Sequence, residues 1–506
     1  MEKIKFSTII LSAVICLTFA SCKDFLDVLP SESVPSSQSI GNVADARIAI
    51  NGVYRLMTSS SYYGRTMILY SEFKGGDFGL TTTAIAGDAL YFFYHNPQSN
   101  SYSDVWSQGY IVLLQVNNII ANIESGNVTT PTAADEKELN AIKGQALTVR
   151  AFVHFDLARI YGYPYMKDNG ASLGATIVTE VLPAKAQLGR NTVSECYAQA
   201  ITDLNSALPL LEGSTKKNGA ISYYAAKALL ARIYLYKGDW DNAYSNAKDV
   251  IDNGGYTPYT AENWVESWTK QFGSESIFEL YVVPNESDLG SSSLRSYYAP
   301  RGTSRRDLGP MMVSDGFFSM FKQPVHDTDV RWGVFGPDEF ANGLSAAHTI
   351  PDRKGWMMKY EDDGKSNPSA VNIKVIRLSE VLLIAAEAAL KKSSPDKANA
   401  VNWINTVRKR NPALDDLTTA ADNNTLIDEI FLQRRIELIG EGHRYFDILR
   451  VGGTVHFTDG GEWSAIPDGG RTSTVDWNFY RCVLPIGINE INANPVIQQN
   501  PGYEGY

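Results

Sequence analysis

Only four of the 506 residues are cysteines and six are histidines. Neither a disulfide framework nor a histidine-based metal centre fits those numbers, and no His-x-x-x-His spacing occurs. A cationic excess is also missing. Forty-five Lys and Arg stand against 56 Asp and Glu, for a formal net charge of −11. That balance argues against nucleic acid and against a basic grip on anionic lipid, and it leaves a neutral ligand open. The chain has no Gly-rich phosphate loop and no nucleophile elbow. Beyond its first residues, no apolar run is long enough to span a bilayer.

Those first residues carry the strongest local signal. Lys3 and Lys5 precede the apolar run Ile9 to Leu17, which is too short for a membrane span and closes in small residues, as a secretory signal does. Thr18-Phe19-Ala20-Ser21-Cys22 resembles a lipobox. It implies a signal peptide over 1–21 and a mature chain that starts at lipidated Cys22. The resulting acyl chains exceed what stable anchoring requires. The Pro- and Ser-rich stretch that follows, within 22–40, reads as an extended tether, and 41–506 as one domain. With Cys16 removed and Cys22 lipidated, only Cys196 and Cys482 remain, and in an oxidising compartment they can pair.

The body is 44% hydrophobic and 20% charged, a globular composition. Helical periodicity recurs. Ala226, Leu229, Leu230, Ile233 and Tyr234 share a face, Asp239 caps a second helix, and Asn253-Gly254-Gly255 ends it. A second hairpin has Leu378, Leu382, Ala385, Ala386 and Ala389 on one face, a turn at Ser393-Ser394-Pro395-Asp396, and a partner helix from Ala398. Ala231 and Ala243 align with Ala386 and Ala398 at the same offset. Both hairpins resemble tetratricopeptide repeats, degenerate and widely separated. Further helices are expected at about 43–58, 105–124, 136–161, 194–211 and 424–450. The expected fold is mainly α: a scaffold of such hairpins carrying long irregular insertions at about 59–104 and 255–372, with an irregular stretch from about 451 packing back on the helices. Long insertions of this kind are commonly functional.

Six segments in order resemble the SusD-like (RagB) family of outer-membrane nutrient-binding lipoproteins. They are Cys22 to Asp27; Ala49-Ile50-Asn51-Gly52-Val53-Tyr54; Trp106, Tyr110 and Asn117 to Ile120; Gly144 through Arg150 to Gly162; Arg434, Glu437, Glu441-Gly442-His443-Arg444, Asp447 and Arg450; and Leu484-Pro485-Ile486 through Asn494-Pro495 to Tyr503. Gln433 and Gly487 depart from the family pattern, where Glu and Pro are usual. The resemblance implies a cell-surface lipoprotein of the outer membrane that presents oligosaccharide to a SusC-like TonB-dependent transporter, closing over it as a lid. It implies no catalysis and no cofactor.

With 27 Tyr, 20 Phe and 9 Trp the chain has rings to spare, and most belong in a core. The run Tyr91-Phe92-Phe93-Tyr94-His95-Asn96 lies in the first insertion. In an extended run alternate residues face opposite sides, so some rings anchor the loop and others meet a ligand. The family resemblance places sugar contacts in this stretch. Tyr91, Phe93, Tyr94 and Asn96 are the candidates, with Asp77 to accept hydroxyls and Tyr297, Tyr298 and Trp332 as an opposite wall. Glu437 and Glu441 sit at i, i+4, yet paired glycosidase carboxylates flank a cleft from separate elements. Neighbouring Arg434 and Arg444 instead predict a structural ion-pair network. His154, within a helix, is read as a packed residue. Asp327-Thr328-Asp329 and Glu361-Asp362-Asp363-Gly364 are read as solvated turns rather than calcium loops. The rival functions are an exported helical-repeat glycosidase and an assembly scaffold that binds no glycan.

Overall fold

The computed structural model describes residues 40–80, 88–98, 103–214, 216, 218–285, 289–299, 309–336, 355–360, 367, 369–457 and 474–504. The signal segment, Cys22, the tether before Ile40 and the 361–364 turn lie outside these residues.

The fold is mainly α, as the periodicity predicts. α1 (Val43–Met57) opens on Asn42, whose side chain accepts from the Asp45 N–H. α2 (Thr66–Lys74), the short strand β1 (Phe78–Leu80) and α3 (Asp88–Tyr91) follow, in a region expected to be irregular. α4 (Ser103–Glu124) runs into α5 (Ala133–Tyr161), which starts at a Thr132/Asp135 capping box. After α6 (Tyr165–Asp168), α7 (Val193–Leu211) starts at a second box, Thr192/Glu195, and packs along α5. Gly144 permits that approach, because a Cβ there would meet Leu211 Cγ at 2.8 Å. His154 is fully buried and accepts from the Val178 N–H at 3.1 Å, a packed residue as expected.

The first hairpin is α8 (Tyr223–Lys237) and α9 (Trp240–Asn253). Gly238 turns the chain at φ 75°, and Asp239 accepts from the Asn242 N–H. The second is α12 (Leu378–Lys391) and α13 (Lys397–Arg408), with Asp396 as its cap. Ala231, Ala243 and Ala386 are buried, but Ala398 is exposed and Ala400 takes the tight position. The reason is the turn. Five residues, 392–396, separate the second pair of helices, and two, 238 and 239, the first. Counted from the capping aspartate, Ala243 and Ala400 are each four residues in. Arg232–Glu380 (2.6 Å) and Tyr244–Asp396 (2.6 Å) join one hairpin to the other.

Between the hairpins come β2 (Ser276–Leu280), α10 (Leu294–Tyr298), β3 (Met311–Val313), α11 (Asp315–Phe321), β4 (Phe335–Gly336), β5 (Trp356–Met357) and β6 (Ile373–Arg377). Antiparallel pairs β1–β3, β2–β6 and β4–β5 tie these segments down, with Phe78 opposite Val313. The helix expected at 424–450 is two: α14 (Asn423–Glu437) and α15 (Arg444–Leu449). Gly440 and Gly442 break it at φ 78° and 85°. β7 (Val455–His456) pairs with β8 (Thr474–Val475), and α16 (Ile488–Ala493) lies near the C-terminus. That end does pack back on the helices. Arg190 donates to Asn500 Oδ1 at 2.8 Å, and Asn500 Nδ2 to Tyr161 O at 2.7 Å. Cys196 and Cys482 are both buried free thiols, so the pairing open in the sequence is not made. Among the described residues no helix is long and apolar enough to cross a membrane.

Candidate ligand-binding face

Burial alternates residue by residue from 91 to 98. Tyr91, Phe93, His95 and Pro97 are buried, whereas Phe92, Tyr94, Asn96 and Gln98 are partly or fully exposed. The period is that of an extended run, although Tyr91 closes α3 and Phe93 has φ 55°. Tyr94 is 46% exposed, and its ring stacks on Phe92 with centroids 5.5 Å apart and planes 12° from parallel. Phe92 in turn rests on the core and meets Tyr91 edge-on at 5.1 Å. The outer face of Tyr94 is therefore a ring supported from behind.

A carboxylate lies beside it. Partial burial and then Asp88, which shares a hydrogen bond with Tyr94, raise the Tyr94 phenol pKa above its ordinary value. Asp88 also faces Tyr297 of α10. The Arg65 guanidinium, at the start of α2, lies 5.7 Å from the Tyr297 ring centroid. It also attracts Asp104 of α4, whose carboxyl is raised by partial burial against that attraction. Asp88 thus meets Tyr94 directly, and Tyr297, Arg65 and Asp104 follow it in a chain of contacts drawn from neighbouring elements.

The inward rings are anchors. Phe93 meets Phe457 at 5.6 Å, Phe479 at 6.1 Å and Tyr445 at 6.3 Å. The Lys74 ammonium sits 4.8 Å from the Phe93 ring centroid, and within 4.9 Å of those of Tyr70 and Tyr445. Lys74 donates to the carbonyls of Arg481 and Cys482, both at 3.1 Å, and burial lowers its pKa to about 7. Arg481 Nη1 donates to Phe93 O at 2.8 Å, Ile488 N to Pro97 O at 2.8 Å, and Tyr503 pairs with His95 at 3.0 Å. Glu72, on the same helix as Lys74, accepts from the Gly442 N–H at 2.8 Å. Burial pushes its carboxyl up to about 8.

The residues singled out from sequence therefore divide. Tyr94 and Asn96 lie on the outer side of the loop. Tyr91 and Phe93 are interior anchors. Tyr297 borders the face through Arg65 but is 2% exposed. Tyr298 is fully buried, stacked on Tyr360 at 5.6 Å, and offers no face to a ligand. Asp77 is no free acceptor, because Arg435 (Nε, 2.9 Å) and Arg444 (Nε, 3.1 Å) close on its buried carboxylate. Trp332 stacks on Phe321 at 4.1 Å and donates to His326 O. It belongs to the aromatic cluster of α11, and no ring contact joins it to Tyr94 among the described residues. Sequence reasoning missed Phe92, Asp88 and Arg65. Alternation points to Phe92, which shares the parity of Tyr94, but no local signal marks Arg65.

The Glu437/Glu441 pair is a buried ion network, with partners other than those expected. Arg377 meets Glu441 at 2.7 Å and Glu437 at 3.2 Å, and Lys359 meets Glu441 at 2.7 Å. These cations depress both carboxyls against the burial that would raise them, Glu437 to about 2. Arg434 instead holds Asp447 (2.8 Å), and Arg450 bridges Asp447 and Glu387. Asp329 is buried on Arg331 at 2.7 Å, which corrects the expectation of a solvated turn there. Among the described residues no group of three His, Cys, Asp or Glu side chains is placed to hold a metal.

Residues 345–503 match the family model described as "SusD family", and residues 24–235 match "Starch-binding associating with outer membrane". A SusD superfamily protein from Bacteroides thetaiotaomicron superposes with a TM-score of 0.83 at 35% identity, over 91% of this chain and 100% of the other. The chain belongs to the SusD family. A second solved structure, from Bacteroides vulgatus and described provisionally as a sugar binding protein, is 31% identical. It covers 92% of this chain and 99% of its own, with a TM-score of 0.81. SusD-like protein P2 of Formosa agariphila is 25% identical over 541 residues, 99% of this chain and the whole of that protein. SusD membership accounts for the helical scaffold and, in the words of the second model, for association with the outer membrane.

Proposed function

We propose that this SusD-family protein is a surface lipoprotein, held to the outer membrane through Cys22, that binds a glycan on the Tyr94 face and passes it to a SusC-like TonB-dependent transporter. The observation that carries the reading is the Tyr94 ring, open on its outer side and backed by Phe92. A neutral sugar has apolar C–H faces and a rim of hydroxyls. An aromatic plane takes the first. Asp88, beside the ring, accepts from the second. No proton need move. The one carboxylate pair that invites a hydrolytic reading, Glu437 and Glu441, is buried among Arg377, Lys359 and Trp264, where no substrate reaches it. The starch-binding description of the matched model and the sugar-binding description of the Bacteroides vulgatus relative support the same ligand class.

A glycan array followed by calorimetry tests binding, with Tyr94→Ala as the control variant. A reducing-sugar assay on the retained glycans tests the enzyme alternative, and sugar release at enzymatic rates would sink the binder reading. Detergent extraction and pull-down of the native protein should recover a barrel transporter in stoichiometric amount. Recovery of this chain alone, where other membrane complexes survive, would leave a free-standing surface binder.

A further inference from the structure

Three described non-glycine residues have positive φ: Asn169, Phe93 and Phe272. Asparagine tolerates that region, whereas for a bulky ring it is an outlier that the surroundings must enforce. Phe93 is explained by the core its ring enters. Phe272 is not. It has φ 52° and is only half-buried, yet it is not among the rings packed against the hydrophobic core. Its neighbour is Tyr281, 45% exposed, with ring centroids 6.0 Å apart and planes at 46°.

The backbone at Phe272 is gripped from both sides. Its N–H donates to both oxygens of Glu279 at 3.1 Å, and Ser276 and Asn372 hold that buried carboxylate at 2.7 and 2.8 Å. Its carbonyl accepts from the exposed Lys216 ammonium at 2.9 Å, and the Gly273 carbonyl accepts from the same group. A glycine would fill this turn without strain. Here the Glu279 carboxylate and the Lys216 ammonium hold the main chain in that conformation, and the residue that occupies it is a phenylalanine whose ring lies beside an exposed tyrosine. The Lys216 ammonium also lies 5.9 Å from the Tyr256 ring centroid, which places a third aromatic ring near the pair.

We propose that Phe272 and Tyr281, with the Lys216 ammonium beside them, form a second saccharide-contact surface, distinct from the Tyr94 platform, that takes one sugar of a long glycan chain. The inference rests on the reading of this protein as a glycan binder. Size argues for a saccharide over a protein partner. Two aromatic side chains offer roughly 300–500 Å² even when wholly exposed, and these are more than half covered. A stable protein interface needs about 800 Å² on each side. One sugar face on one or two rings is the better match. Two separate contacts give a chain long enough to span both an advantage over short ones through effective concentration.

The test is native electrophoresis through gels holding plant, algal, microbial and host polysaccharides, then calorimetry with a retarding polysaccharide and its hexasaccharide. Phe272→Gly removes the ring and suits the backbone, so its melting temperature should hold or rise. Tyr281→Ala should leave it unchanged. Each variant should bind the polysaccharide about tenfold more weakly, the scale for one stacked ring, and bind the hexasaccharide at the Tyr94 face as wild type does. Wild-type retardation matched by both variants would overturn this inference alone. A clear fall in the melting temperature of Phe272→Gly would also overturn it, by showing that the ring is structural. A wild-type protein retarded by none of the polysaccharides would overturn the glycan reading and this inference with it.

Discussion

Replacing Glu72 with Gln should make the protein less sensitive to rising pH. The Glu72 carboxyl is fully buried on α2, and burial lifts its pKa from 4.5 to about 8. A group whose folded pKa is raised contributes stability that is complete below its unfolded pKa and is lost as pH climbs through the folded one. Between those limits the folded protein keeps a proton that the unfolded chain releases, and each pH unit costs about 1.4 kcal/mol. From pH 5.5 to pH 8 the wild type should therefore lose about 3 kcal/mol through this one side chain. Glutamine keeps an acceptor for the Gly442 N–H, now 2.8 Å from Glu72 Oε1, and has nothing to titrate. Lys74, whose pKa burial lowers to about 7, has the opposite slope, but it is common to both proteins and cancels in the difference. Urea midpoints at the two pH values, multiplied by the measured m, give that difference. The stability gap between Glu72→Gln and wild type should move in favour of the variant by about 3 kcal/mol on going to pH 8. Parallel pH profiles would refute the reasoning, because they would mean that Glu72 is ionised in the folded state across the range.

The two sides of the aromatic loop should respond differently to truncation. Phe93→Ala should lower stability by about 3–5 kcal/mol in chemical denaturation, whereas Tyr94→Ala should leave the melting temperature alone and weaken glycan binding by about 1–3 kcal/mol in calorimetry. Arg450→Met leaves buried Glu387 with Lys391 alone and buried Asp447 with Arg434 alone, and a loss of about 3–5 kcal/mol is expected in the same denaturation assay. In the intact protein Arg450 and Lys391 hold the buried Glu387 carboxyl near 2. That pair's contribution is present above pH 4.5 and lost as pH falls through 2, so the cost of the substitution should shrink in acid. Cys22→Ala should yield a folded protein that no longer sediments with membranes, and continued sedimentation on fractionation would show that lipid is not the anchor.

The scaffold was largely legible because it rests on local chemistry. Asp239 caps its helix as its position predicts, and the two hairpins fall where the apolar spacing puts them. Errors arose where an offset or a turn had to be counted. The equal offset points to Ala398 instead of Ala400 because the second turn holds three more residues, and the periodicity runs through 424–450 as one helix although Gly440 and Gly442 interrupt it. The candidate site was half legible. Alternation in 91–98 separates anchors from outward rings, but it does not say which parity faces water. That is set by Tyr445, Phe457 and Phe479, which arrive from the far end of the chain. Asp77 looked available for the same reason in reverse. Arg435, which occupies it, lies 358 residues away and leaves no mark near position 77.

The clamp on the aromatic loop also bears on the order in which the protein assembles. Residues 93 and 95 are held by Arg481 and Tyr503, contacts that span 388 and 408 positions. Closing loops of that length adds only a modest entropy cost, but contacts so distant in sequence slow folding. A chain emerging from its N-terminus can pack α4 against α5 and build both hairpins while Phe93 still lacks its partners. The Tyr94 platform is then among the last parts to take shape, and it waits for the final two dozen residues. A product cut short near residue 480 would keep most of its helices yet lack the contacts that set the Tyr94 platform.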